Sequence, residues 1–270
     1  MTAILHSQPV VDSEHFKAWD KFFGCVVPHD GDPNFPSRIY GWENKSNHGL
    51  FEGHTSDAGA CFGFVQAGRA LILSGGVTWM LNAGQFFETQ RGFKVMLLEP
   101  ETVVMAAQRY DYYGVNRAGG PIEALGRLKY IDGCSDTLLI GPQVKGEACI
   151  NHLHFPTGID QTEHTHPSSR IGIVARGSGE CVTPLGATPL IPGRLFFIPK
   201  DGLHKFRTYS NEMDVIAYHP DTDFGPTHQE HPMVNRTLVG GQKIDNTTGV
   251  HVTAQVIEPD LLKARESARV

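Results

Sequence analysis

Gly158-Ile-Asp-Gln-Thr-Glu-His164-Thr-His166-Pro-Ser-Ser-Arg170, running on through Ile171 to Gly177, is the stretch that decides the reading of this chain. Successive side chains of a β-strand point to opposite faces. His164 and His166 therefore share a face and can grip one metal ion. A third histidine follows in Gly193-Arg-Leu-Phe-Phe-Ile-Pro199-Lys-Asp-Gly202-Leu-His204, after a Gly-bounded strand and a Pro/Gly turn.

These two stretches resemble the two signature motifs of the cupin superfamily, small β-barrels that usually hold a metal. Gly158, five residues and His-x-His fit the first motif, as does Gly177. Gly193, Pro199, Gly202 and His204 fit the second, with one extra residue between Pro199 and Gly202. The family's Glu ligand stands four residues after the second histidine, and here that place is Arg170. Thr208 occupies the place of the closing Asn. The resemblance carries over three ligands, His164, His166 and His204, and no carboxylate. It implies an all-β fold of two tandem cupin barrels (double-stranded β-helix, jelly-roll) with short flanking helices.

Sliding the chain against itself by 109 positions supports the duplication. Gly63-Phe-Val65-Gln-Ala-Gly68 lands on Gly172-Ile-Val174-Ala-Arg-Gly177, Leu81 on Leu190, Gly84 on Gly193 and Phe87 on Phe196. Glycines recurring at fixed spacing mark repeated turns. In this frame His164 aligns with Thr55, His166 with Asp57 and His204 with Val95, a set that would hold a transition metal poorly. His54 precedes Thr55 and would face the other way. The expected division is a degenerate, metal-free barrel over residues 1–120 and a metal-binding barrel over 121–270. Strands are expected from about Cys61 to Gln108 and from Lys129 to Tyr218, with a linker at Gly114–Gly126. A capped helix is expected over Ser13–Phe23, and another over Asp260–Ala268.

The 270 residues, 40% hydrophobic and 19% charged, suit a globular protein rich in turns, with 30 glycines and 17 prolines. A net charge of −6 without a basic block argues against nucleic-acid binding. No apolar run is long enough to span a bilayer. The first residues lack the basic start and apolar core of a secretory signal. The five scattered cysteines, Cys25, Cys61, Cys134, Cys149 and Cys181, then read as reduced thiols in a cytoplasmic protein. Asn44-Lys-Ser, Asn235-Arg-Thr and Asn246-Thr-Thr read as chance sequons.

Three histidines on one side of an ion leave open positions on the other, as a catalytic site requires. Counting by twos from His166 places Arg170 on the same face. There it either clamps the anionic group of a substrate through its planar fork or pairs with a protein acid such as Glu163 or Glu180. Glu163 itself neighbours His164 and is expected to turn away. His152 and His154 share one face of the preceding strand, expected to lie outside the barrel because Leu153 and Phe155 share the other. His219 is expected to end a strand at Tyr218-His219-Pro220 and, like His228 and His231, to cap turns or subunit contacts, and Phe206 and Tyr218 are candidates to line a pocket.

The resemblance implies an Fe(II)-dependent dioxygenase or other oxygenase acting on a small anionic organic substrate and O2, with Arg170 as the clamp. Two alternatives stay open: a redox-neutral lyase, isomerase or hydrolase using Zn, Mn or Ni, and a non-catalytic metal or small-molecule binding protein. A homodimer is a further expectation from the family alone.

Overall fold

The computed structural model describes residues 7–44, 51–142, 144, 146–221, 238–239 and 242–243. Residues 1–222 form one compact unit and 223–270 a second. Within the second, Leu238–Val239 and Gln242–Lys243 pair as an antiparallel hairpin. The expected helix at Asp260–Ala268 and the residues His228 and His231 lie outside the described residues.

Frequent turn residues cut the first unit into short strands. Its first half contains β1 (Val11–Asp12), β2 (Lys17–Trp19), β3 (Phe23–Val27), β4 (Ser37–Glu43), β5 (Phe51–His54), β6 (Gly59–Ala67), β7 (Arg69–Ser74), β8 (Val77–Asn82), β9 (Phe86–Thr89), β10 (Lys94–Leu97), β11 (Val103–Tyr110) and β12 (Arg117–Gly119). The second half contains β13 (Leu128–Lys129), β14 (Ser135–Ile140), β15 (Cys149–Phe155), β16 (Arg170–Gly177), β17 (Gly179–Thr183), β18 (Gly186–Leu190), β19 (Leu195–Ile198), β20 (Lys205–Arg207) and β21 (Met213–His219).

In the first half the sheet β12-β9-β6-β11-β4-β3 packs on β5-β10-β7-β8. In the second, β1-β2-β19-β16-β21-β15-β14-β13 packs on β18-β17-β20. The arrangement is all-β and compatible with two tandem barrels. A shift of 109 superposes β6 to β9 on β16 to β19. The shared glycines have a shared cause. A Cβ on Gly63 would meet the Phe87 ring at 2.2 Å, and one on Gly172 would meet the Phe196 ring at 2.3 Å. Gly68 and Gly177 both take positive φ, at 67° and 73°, where each half turns from its long strand into the next.

Alternation sorts each long strand between two cores. On β16, Ile171 and Ile173 join Phe62, Phe64, Ile39 and Met105 in a layer between the two large sheets. Gly172 and Val174 face the other way, toward Phe196 and the interior of the second half. Tyr218 belongs to the layer between the sheets, 5.4 Å from Phe62 and hydrogen-bonded to Ser37 Oγ at 3.2 Å. It faces away from the interior of the second half, where a pocket was expected, because its strand neighbours Ala217 and His219 take the interior face.

The expected helix over Ser13–Phe23 is not formed, and no α-helix occurs among the described residues. Phe16, Trp19 and Phe22 have helical spacing, but burial alternates from Phe16 through Lys17 to Ala18, the period of a strand. Ser13, read as a helix cap, closes a tight turn instead: its Oγ accepts from Phe16 N at 3.0 Å and donates to Phe16 O at 2.9 Å. The arm Val11–Trp19 lies in the first half of the sequence yet pairs in the sheet of the second, Trp19 opposite Leu195 and Lys17 opposite Phe197. The Gly114–Gly126 segment joins the halves and contributes edge strand β12.

Candidate metal centre

The two histidine stretches are stitched together by backbone bonds. His164 N–H donates to His204 O at 3.0 Å, and His204 N–H returns the bond to His164 O at 3.1 Å. Asp201 N–H donates to His166 O at 3.0 Å. The three imidazoles converge, with ring centroids 4.7 to 5.2 Å apart and one nitrogen from each within 4.8 Å of the others. Their orientation is fixed from behind. His164 Nδ1 is 2.7 Å from Thr162 O, and His204 Nδ1 is 2.8 Å from Gly202 O. A carbonyl only accepts, so each Nδ1 carries the proton and each Nε2 is left as a lone-pair donor.

Burial makes the His166 and His204 rings poor proton acceptors. It drives His166 down to about 3, helped by the Arg170 charge and the other two histidines. It drives His204 down to about 4 despite the hydrogen bond to Gly202. Both are neutral at neutral pH, the form that ligates a metal. Nε2 of His204 is buried without a hydrogen-bond partner among the described residues. Such a group costs about 1–3 kcal/mol when left unpaired. A bound cation in the middle of the trio would supply the missing partner.

The trio opens on a narrow cavity whose free interior volume is about 20 Å³. Leu153, Phe155, Phe196, Ile198, Phe206, Val215 and Ala217 supply apolar walls; Gln161, Tyr130, Arg170 and His219 add polar groups. Arg170 reaches this cavity as expected, although a bend at Pro167 and Ser168 replaces the regular strand on which the count by twos relied. Its charge is partnered by neither Glu163, which is exposed, nor Glu180, which pairs with Arg207 at 2.7 Å. The partner is Asp221, 3.5 Å from Nη1 and itself hydrogen-bonded by Ser168 Oγ. Nη1 also donates to Ser168 Oγ at 2.5 Å and Ser169 O at 2.9 Å. Nε of Arg170 is buried and unpartnered among the described residues.

His219 ends β21, as the Tyr218-His219-Pro220 sequence suggests, but it lines the cavity from the interior face and does not cap a turn or a subunit contact. Burial first, then the Arg170 charge and His166, hold it well below the usual histidine range. The signal for it was the alternation Met213, Val215, Ala217, His219.

His152 and His154 do lie outside the barrel, and they are buried there. Both meet one carboxylate oxygen of Asp214, at 2.6 and 3.0 Å, while Arg176 Nε donates to the other at 2.5 Å. Arg176 also donates to Glu123 O at 2.5 Å, tying the joining segment to β16.

The first half has no such trio among the described residues. Thr55 holds the position of His164, and its N–H donates to Phe93 O at 3.0 Å as His164 does to His204. The counterpart of His204 is therefore Phe93 and not Val95, which the ungapped alignment had chosen. Pairing of Val95 with Ile72 and of Phe206 with Cys181 gives the same two-residue shift. The cause is the extra length after Pro199. Asp57 is exposed, and His54 faces away from Thr55 as expected.

No family model matches the chain. No curated protein matches it either. Solved structures do. A cupin 2 conserved barrel domain protein from Leptotrichia buccalis aligns over 81% of this chain and 98% of its own, with a TM-score of 0.51 and 13% identity. AerE from Microcystis aeruginosa aligns over 79% and 96%, at 0.50 and 14%. A salicylate 1,2-dioxygenase from Pseudaminobacter salicylatoxidans aligns over 72% of this chain and 71% of its own, at 0.50 and 11%. The fold is that of the cupins.

Proposed function

We propose that this chain is a metal-dependent enzyme of cupin fold, an Fe(II) oxygenase acting on a small organic anion. The observation that carries the reading is the pair of orphaned polar atoms in one cavity, His204 Nε2 and Arg170 Nε. Three imidazoles would hold the ion from one side, His164 and His204 by Nε2 because their Nδ1 atoms are committed to carbonyls. Such a set suits Fe(II), and also Zn, Mn or Ni. When bound, the ion supplies open positions at which substrate and O2 can meet. The apolar walls exclude water, which strengthens every charge interaction within.

Arg170 would receive the substrate's anionic group through Nε. Asp221 tempers that pull: a divalent ion and Arg170 sum to +3, and Asp221 at 3.5 Å lowers this to +2. The charge still favours an anion. The likeness to a salicylate dioxygenase adds support at the level of fold. Residues 1–120 would then serve as a metal-free partner of the 121–270 half, in a cytoplasmic protein able to form homodimers.

The test begins with metal analysis of protein handled without air. The expected result is one iron per chain, lost in His164→Ala/His166→Ala. O2 uptake with a panel of carboxylates, thiols and catechols follows. Turnover without O2 would replace the oxygenase by a lyase, isomerase or hydrolase; tight binding without turnover would replace it by a binding protein. Arg170→Ala should weaken substrate binding by about 2–5 kcal/mol and leave metal content unchanged. Arg170→Lys should recover only part, because an ammonium lacks the planar fork. Unchanged kcat and KM in Arg170→Ala would remove the clamp.

A further inference from the structure

We propose that His15, on the N-terminal arm, is a positioning residue for the His204 imidazole. The inference rests on the metal reading above. Phe16 anchors the arm: it is buried in the core of the second half and stacks on Phe196, a cavity residue, at 5.7 Å. Burial of this ring holds the short arm in place. The β2–β19 pairing continues the attachment through Ala18 opposite Phe196.

So anchored, the arm presents His15 to the loop that carries His204. Leu203 N–H donates to His15 Nδ1 at 3.3 Å. On the same side the His15 carbonyl lies against Gly202, where an added Cβ would come within 2.7 Å of it. The Leu203 N–H and the Gly202 C=O are the two ends of one peptide plane. That plane is rigid, so holding one end fixes the direction of the other. The Gly202 carbonyl is the group that accepts from His204 Nδ1 at 2.8 Å. His15 thus sets the tilt of the peptide, the peptide sets the imidazole, and the imidazole aims Nε2 at the centre of the trio. Bonds in such a chain also polarise one another, which strengthens the Nε2 lone pair. The arm supplies this support from 188 residues away in sequence.

His15 is partly exposed, with 22% of its side chain accessible, so replacing it leaves the core intact. The experiment uses the full chain, stripped of metal and titrated with Co2+ against a competing chelator, reading the visible absorption of the bound ion. Loss of an outer-shell partner typically lowers metal affinity by about 10–100-fold. His15→Ala is expected to bind Co2+ about tenfold more weakly than wild type, with a shifted absorption band and an unchanged apoprotein Tm. His15→Asn, whose Oδ1 can accept from Leu203 N–H, is expected to recover the affinity and the band. Equal Co2+ affinity in wild type and His15→Ala would overturn the proposal, and so would an Asn variant as weak as Ala. A wild type that binds no Co2+ would instead bring down the metal reading, and this inference with it.

Discussion

Replacing Gly172 by alanine tests the packing logic that links the two halves. The new Cβ would lie 2.3 Å from the Phe196 ring, and the equivalent Gly63→Ala would place one 2.2 Å from the Phe87 ring. Both distances are far inside van der Waals contact. Both rings are buried, with 1% and 0% exposure, so neither can swing into solvent. Overpacking of this kind typically costs about 1–3 kcal/mol. In a unit of this size each kcal/mol lowers Tm by about 2–4 °C, so each variant should lose about 2–12 °C. The two should differ at the site. Phe196 touches Phe206 at 5.8 Å, and Phe206 touches His204 at 5.6 Å. Gly172→Ala should therefore weaken Co2+ binding as well as stability, and Gly63→Ala stability alone. Phe196→Leu should relieve Gly172→Ala in the double variant, since it removes the obstructing ring. Thermal unfolding followed by circular dichroism reads the first effect and Co2+ titration the second. A Gly172→Ala protein with wild-type Tm, or a double variant no better than the sum of the singles, would refute the reasoning.

Acidification should destabilise the metal-free protein in a defined window. His166 and His204 are held below the ordinary histidine value of 6.5, at about 3 and about 4. The folded form then binds fewer protons than the unfolded one, so their contribution is full above about pH 6.5 and is lost as pH falls toward 4. Each can contribute a slope of up to about 1.4 kcal/mol per pH unit, and urea titrations at pH 7, 6 and 5 would expose a flat profile if the histidines were not buried in their neutral form. Removing the Asp214 carboxylate, as in Asp214→Ala, strands Arg176 and two buried histidines and should cost about 3–5 kcal/mol. Because that cluster lies on the outer face, Co2+ affinity should hold; a matching loss of affinity would show that the cluster shapes the cavity.

Much of this architecture was legible in the sequence, for physical reasons that also mark the limits. Period-two alternation and turn glycines are local signals, so the strands, the histidine pair and the 109-residue repeat could be read directly. Arg170 does reach the cavity, but not by the regular strand that the count by twos assumes: Pro167 and Ser168 lie in a bend and β16 begins only at Arg170. The errors arose where local signals compete or pairing is distant. Phe16, Trp19 and Phe22 mimic a helix, and only pairing with Leu195–Phe197 makes that arm a strand. The counterpart of His204 was misplaced because an ungapped comparison cannot see a lengthened turn. Asp221 lies just beyond β21, where parity says nothing. The His152–His154 pair was correctly sent outward, but its burial depends on Asp214 and the joining segment, which no spacing reveals.

The aromatic filling of the first half bears on what mutation can reach from here. Phe93 stands where His204 stands in the other half, its ring edge-on to Phe87 at 5.1 Å and to Trp42 at 5.6 Å. Thr55 spends its hydroxyl on the Phe93 N–H at 2.9 Å. Restoring histidines at these places would give up a close-packed aromatic knot and a backbone bond before any metal could compensate. Each single step would lower stability, and only the complete set could bind. The packing of this half therefore weighs against a histidine trio arising there one substitution at a time.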